Sequence, residues 1–340
     1  MYRQFLAFFV VLIFTSSCHR TSTEIVSLQG PTMGTLYQVK FVNQLDDEIV
    51  DSAQIEQEIV QLLKNVNQLM STYIDDSELS LLNKTVSNTS FQISDETNFV
   101  LEEAIRLHRL TQGALDITVG PLVNLWGFGP EHRPEKIPTQ DALENIRDYI
   151  GIDKFSLSDR VVTKSHDNVY IDLSTIAKGY GVDRIAALLE NYGITNYLVD
   201  IGGEMRLSGQ KPNQQDWRIA IEKPISNERS VQRLVTVGNN AIATSGDYRN
   251  YFEENGVRYS HLIDPTTLQP IQHNLAAVTV VAPKSMTADG LATGLIVLGK
   301  DKGLEIANRN NIAALFIVKE GDEFIEYRST AFDETVQVLN

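Results

Sequence analysis

Residues 285–299 read SMTADGLATGLIVLG. If this stretch is helical, Asp289 and Thr293 project from one face amid small side chains. A carboxylate and a hydroxyl so placed, with room around them, can share a hard cation such as Mg2+ with the phosphates of a ligand. The same pair is common on solvated helices, so this stretch alone does not separate a site from a surface.

Periodicity supplies the frame around it. Ile55, Ile59, Leu62, Leu63, Val66 and Leu69 recur at helical spacing between about Asp51 and Met70. A second helix is expected from Ser94 to a stop at Gly113, a third from a Thr139 cap to Gly151, and a fourth from about Thr175 to Tyr192. Strand-like runs lie between and after these: NVYIDLS, NYLVDIG, WRIAIEKP, RLVTVG, AIATSG, RYSHLID, AAVTVVAP, AALFIVK and EFIEYR. Helices and strands alternate in places and the strands cluster, which fits an α+β or mixed sheet better than a doubly wound parallel one. No linker, repeat or low-complexity run divides the chain.

The N-terminus fixes expectations about compartment. MYRQFLAFFVVLIFTSSC has one Arg, an apolar run from Phe5 to Phe14 too short to span a bilayer, and small residues before Cys18. Residues 1–17 therefore read as a signal peptide and Cys18 as an acylated lipobox cysteine, with an ordinary cleaved signal as the alternative. Residues 18–28 read as a lipid-anchored tether and 29–340 as the folded domain. Cys18 is the only cysteine, so no intramolecular disulfide can form.

Of the 29 basic residues one, Arg3, falls in the signal, leaving 28 against 44 acidic residues. That balance argues against nucleic-acid or anionic-membrane binding through a basic surface. A phosphate site here must rely on backbone N–H groups, a metal and a few local cations.

Several further segments group polar, Gly and small residues beyond what packing demands. They are PTMGTLY (31–37), MSTYIDDSELSLLN (70–83), GALDITVGPLVNLWGFGP (113–130), DLSTIAKGYGVD (172–183), YLVDIGGEMRLSG (197–209), AIATSGDYRNYF (241–252) and SHLIDPTT (260–267). In order, together with the Asp289–Thr293 segment, they closely resemble the ApbE family of flavin transferases, from about Pro31 to about Gly299. The resemblance implies a single α+β unit of mixed sheets and helices, in two lobes around a flavin-binding cleft. It implies Mg2+-dependent transfer of FMN from FAD to a threonine of a target protein, with release of AMP. The family's usual targets are subunits of membrane redox pumps. By family habit the anchor is a palmitoylated lipoprotein terminus on the periplasmic side of the bacterial inner membrane.

Site residues follow one by one. NVYIDLS delivers Asp172 near its end, where a helix is about to begin, and such a junction, with its free N–H groups, suits an anion. By resemblance Asp172 and Lys178 contact FAD, and Thr175 joins Asp289 and Thr293 in supplying oxygens to Mg2+. Capping roles for Asp172 and Thr175 are the alternative. Met33 and Tyr73 are flavin contacts by resemblance, where a thioether and a phenol ring suit an aromatic ligand. Both residue types equally serve as core filler. Ala114, Leu115 and Asp116 line the adenine and ribose end or its neighbourhood, and Ile263 forms an apolar wall, again by resemblance.

His261 is the one histidine embedded in a matching segment, fit to act as general base or phosphate ligand. The other five histidines read as surface or local structural residues. Asp264, before a proline, is a turn former. Ser245, Gly246 and Arg249 could meet a pyrophosphate, although Arg249 suits an ion pair as well. A periplasmic FAD pyrophosphatase would need nearly the same residues, with water as acceptor, and a noncatalytic FAD-binding lipoprotein fewer.

Overall fold

Antiparallel pairing runs through the whole of the main sheet in the computed structural model, which describes residues 24–43, 51–129, 137–225, 230–247, 251–254 and 257–339. The chain opens with a hairpin of β1 (Glu24–Thr32) and β2 (Thr35–Asn43). Its two-residue turn, Met33–Gly34, has positive φ at both positions, 46° and 71°. Such turns match the strand twist, but Asn or Gly ordinarily fills the first position, so methionine there is conformationally costly. β1 starts inside the stretch read as a tether, and Leu28 already belongs to the core. The folded domain therefore begins earlier than residue 29, while Cys18 and the signal lie outside the described residues.

α1 (Ser52–Met70) is capped by Asp51, whose carboxylate accepts from the amides of Ala53 and Gln54, and it buries Ile55, Ile59, Leu63 and Val66. Next come α2 (Glu78–Asn83), β3 (Ser90–Gln92), α3 (Asp95–Leu110), α4 (Gly120–Leu125) and α5 (Gln140–Arg147). Ser94 and Thr139 cap α3 and α5 as their sequences indicate. β4 (Phe155–Ser158) and β5 (Val161–Lys164) complete a small sheet with β3.

NVYIDLS belongs to none of the assigned ladders, which corrects its reading as a strand. The amide of Asn83 brackets it instead, donating to the Ile171 carbonyl and accepting the Ile171 N–H, both at 2.8 Å. The N–H of Asp172 donates to the Ile117 carbonyl at 2.8 Å. An apolar segment pinned by a side chain carries the same sequence pattern as one paired in a sheet.

After α6 (Ala177–Asn191) come the central strands β6 (Tyr197–Ile201) and β7 (Glu204–Ser208), then β8 (Ile219–Glu222), β9 (Val231–Thr236) and β10 (Ala241–Gly246). Two short hairpins follow, β11 (Tyr251–Glu254) with β12 (Val257–Ser260) and β13 (Ile263–Asp264) with β14 (Gln269–Pro270). The chain ends through β15 (Leu275–Ala282), α7 (Ser285–Leu298), α8 (Lys300–Arg309), β16 (Ala313–Glu320), β17 (Glu323–Arg328), α9 (Thr330–Thr335) and β18 (Gln337–Leu339).

The main sheet runs β1-β2-β6-β7-β10-β15-β16-β17. One face packs on α1, α3, α6 and α7, and the other on the three-stranded sheet β18-β9-β8. Because both faces of β15 are covered, all eight of its residues are buried, and its sequence shows a continuous apolar run instead of alternation. A separate cluster joins α4 and α5 to Phe252, Ile263 and Leu268, forming the opposite wall of the cleft.

The closest helix contact is that of α6 on α7. A Cβ added to Gly179 would sit 2.5 Å from the Ser285 carbonyl oxygen, so only glycine fits. α7 has no capping side chain of its own. Asp183 on α6 supplies one, accepting from the N–H groups of Ser285 at 2.9 Å and Met286 at 3.0 Å. Replacing Gly179 by Ala should push the two helices apart and cost about 1–3 kcal/mol. Urea unfolding reads this out, and an unchanged midpoint would contradict the packing described.

Candidate active site at the α6–α7 crossing

α7 is buried at most of its positions, and Asp289 sits in the middle of it, 4% exposed. A carboxylate there loses most of its hydration, and burial raises its pKa. Two groups oppose that rise. Lys178 contributes its charge, and the N–H of Gly179 donates to Asp289 Oδ2 at 3.0 Å. Both lie in the first turn of α6, so the close helix crossing is also what stabilises the buried carboxylate.

Lys178 bridges onward to Glu204 at the start of β7, with Nζ 2.5 Å from Oε1. Burial works against the Lys178 charge, but Asp289 and Glu204 outweigh it and its pKa is raised. Burial and the neighbouring Asp289 push the Glu204 carboxyl up to about 7, against the pull of Lys178. Its second oxygen, Oε2, is buried with no hydrogen-bond partner.

The loop before α6 completes this wall. Asp172 Oδ1 accepts from the Ser174 N–H at 2.8 Å, while burial raises its pKa. Thr175 Oγ1 is buried and has no hydrogen-bond partner among the described residues. A threonine hydroxyl left unsatisfied in this way costs free energy unless a ligand completes it. Thr293, one turn after Asp289 on α7, shares a hydrogen bond with Ser245 Oγ at 3.1 Å. The helical reading of residues 285–299 thus holds, and it brings Asp289 and Thr293 to one cavity with Thr175.

That cavity, of about 390 Å3, is also lined by Ala114, Leu115, Asp116, His261 and Ile263. A second, of about 480 Å3, is lined by Met33, Tyr73 and apolar side chains of α1. Asp172, Ser174 and Lys178 line both, so the two adjoin at the start of α6. Together they make a long cleft with one apolar end and one polar end. Every described residue singled out for flavin, metal or catalysis lines one of the two cavities.

Individual roles differ from the sequence reading in places. Tyr73 is 74% exposed, which rules out the core-tyrosine alternative and leaves its ring open at the cleft mouth. Met33, at its strained turn position, touches both helix-side cores as well as the cavity, so it fills space and lines the site together. Asp116 is more enclosed than a loop carboxylate facing ligand would be. Its Oδ1 accepts from the Thr118 N–H at 2.8 Å and the Thr118 hydroxyl at 2.6 Å, fixing its own turn. His108, read as local structure, is that, with Nδ1 2.8 Å from the Leu115 carbonyl. His261 packs edge-on to Phe128, ring centres 6.4 Å apart. Asp264 organises its turn by accepting from the Thr266 N–H. Arg249 lies outside the described residues.

Glu204 and Asp183 escaped the sequence reading. Glu204 follows Gly202–Gly203 in a segment already singled out, a position that marks it as a strand start facing the cleft. The capping of α7 by Asp183 spans 102 residues of sequence, and no local pattern announces it.

Comparison with known proteins gives a consistent result. A sequence model of the ApbE family matches residues 33–316. A Vibrio cholerae protein named FAD:protein FMN transferase is 51% identical over 330 residues, covering 97% of this chain and 98% of its own. An Escherichia coli K12 protein of the same name is 40% identical, covering 92% and 89%. The flavin transferase ApbE structure from Vibrio cholerae superposes with a TM-score of 0.86 at 51% identity, over 92% of this chain and 99% of that one. The apo flavinyl transferase ApbE structure of Pseudomonas stutzeri gives 0.85 at 38%, over 92% and 97%.

The raised Glu204 carboxyl has a pH signature. It holds its proton more tightly folded than unfolded, so folding takes up a proton between about pH 4.5 and 7, and this group lowers stability as pH rises through that window. Unfolding free energies measured across the window should fall towards pH 7, and Glu204→Gln should flatten the slope. A Glu204 carboxyl that titrates at an ordinary 4.5 by NMR contradicts the description.

Proposed function

The chain belongs to the ApbE family, and on that footing we propose that it transfers the FMN moiety of FAD to a threonine hydroxyl of a target protein. The observation that carries the proposal is the two-part cleft joined at Asp172, Ser174 and Lys178. FAD is two unlike halves linked by a pyrophosphate. An apolar end with an exposed tyrosine suits a flavin ring, and the junction beside Lys178 suits the linking phosphates. Curated relatives 40–51% identical carry the name of this activity.

The reaction exchanges the phosphoanhydride bond of the FAD pyrophosphate for a phosphoester bond to threonine. The threonine Oγ attacks the FMN-side phosphorus, a new P–O bond forms, the bond to the AMP phosphate breaks, and AMP leaves. The hydroxyl proton passes to the imidazole of His261. Lys178 and the N–H groups at the start of α6 hold the pyrophosphate in line, so positioning supplies much of the rate. Thr175, Asp289 and Thr293 line one cavity with hard oxygens that would hold a cation such as Mg2+, and the unpartnered Thr175 hydroxyl suits such a ligand role. A bound Mg2+ supplies charge neutralisation at the phosphates.

FAD as substrate and threonine-bearing proteins as acceptors follow from the same chemistry, and the family resemblance implies subunits of membrane redox pumps as the acceptor class. No described helix is long and apolar enough to cross a membrane. The lipobox-like N-terminus supports attachment through acylated Cys18, and the family resemblance implies the periplasmic side of the inner membrane.

Incubation with FAD, Mg2+ and solubilised membrane proteins tests the proposal. A fluorescent protein band, with added FMN mapped to a threonine by mass spectrometry, is the expected result. Free FMN and AMP with no labelled protein would establish hydrolysis instead. Asp289→Ala should lower transfer by about a hundredfold or more while FAD is still bound in part. Transfer by that variant at the wild-type rate would contradict the metal assignment.

A further inference from the structure

The main sheet is incompletely paired beside the site. β10 pairs with β15 along all six of its residues but with β7 only at Ala241 and Ile242. The N–H of Leu207 on β7 donates to the Asn240 carbonyl, so residues of even number along this strand direct their backbone groups towards β7. Among the described residues, Thr244 and Gly246 therefore present main-chain N–H and C=O groups to an edge that no strand covers. Side chains on the two faces of that edge look into different cavities. Ser245 faces α7, where it bonds Thr293. Ile242 and Thr244 face a groove of about 470 Å3, whose floor is the cross-strand row Gln38, Asp200, Met205 and Ile242. Groove and active-site cavity share Gly202 and Thr244, so they meet at the open edge. At the groove rim Leu36 is 64% exposed, a large apolar side chain left in solvent.

A threonine within a chain can reach a buried phosphorus only if both flanking segments leave the cleft, which calls for an extended segment crossing its mouth. Resting on the transfer reading above, we infer that the acceptor segment adds as a short strand to the edge of β10 at Thr244–Gly246. Main-chain bonds to that edge set its register, as in other strand-addition complexes. Strand alternation then turns the acceptor threonine to the α7 face, towards Asp289 and Thr293. Its immediate neighbours project into the groove, where the carboxylates of Asp200 and Glu222 disfavour acidic side chains.

The probe is a synthetic peptide spanning the flavinylated threonine that mass spectrometry identifies in a labelled protein. Thr244→Pro removes an edge donor without touching the β15 ladder, because that N–H points away from β15. It should raise KM for the peptide about tenfold or more, with FAD affinity within about twofold of wild type. Thr244→Ala keeps the donor while losing the same hydroxyl bond to Thr279, so KM in Thr244→Pro should exceed that in Thr244→Ala. Leu36→Glu, on an exposed residue, should raise KM several-fold whether or not Thr244→Pro folds. Peptide binding should also slow amide exchange at Thr244 and Gly246. An unchanged KM in Thr244→Pro and Leu36→Glu overturns the inference, as does weakened FAD binding in Thr244→Pro, which would give this edge to the flavin phosphates. If the wild type labels no protein at all, the transfer reading fails first and this inference with it.

Discussion

A carboxylate buried in the middle of an apolar helix is the constraint on which the rest of the structure turns. Asp289 would be expensive in α7 without the Gly179 N–H and the Lys178 charge, and both come from the first turn of α6. That turn can approach only because residue 179 has no side chain. Asp183, about one turn of α6 further on, caps α7 and fixes its start. Arg206 on β7 in turn holds Asp183, with Nη1 3.2 Å from Oδ1. The packing of two helices and the placement of one acid are a single arrangement.

The same arrangement explains why polar groups remain incompletely satisfied here. Thr175 Oγ1 and Glu204 Oε2 are both buried without partners, and both lie around Lys178. A sequence selected for stability alone would fill or pair them. Their retention beside a perturbed acid cluster is the pattern expected of a site completed by its ligands. The strained Met33 turn belongs to the same class, since an easier turn residue would remove the side chain that lines the apolar cavity.

Much of this was legible in the sequence, and the exceptions have physical causes. The Thr139 cap and the helix starts near Asp51 and Ser94 are local chemistry, and the structure shows each of them. The i, i+4 spacing of Asp289 and Thr293 needed only a helix to bring them together. NVYIDLS read as a strand because pattern reports burial and extension, not the partner, and Asn83 stands where a strand was expected. The start of β1 reads like a tether because an edge strand keeps polar residues on its outer side. The roles of Asp183 and Glu204 are long-range, set by which elements the sheet order brings together. The family resemblance pointed to the site residues, and the geometry adds the reason they stand together.

Crystallography of the protein soaked with FAD and Mn2+ in place of Mg2+ addresses this account most directly, because the anomalous signal of manganese locates the ion without ambiguity. The account predicts a peak bonded to the Asp289 carboxylate and the Thr175 and Thr293 hydroxyls, with the FAD pyrophosphate on its open side next to Lys178. A peak elsewhere, or ordered FAD with no ion at Asp289, would contradict it.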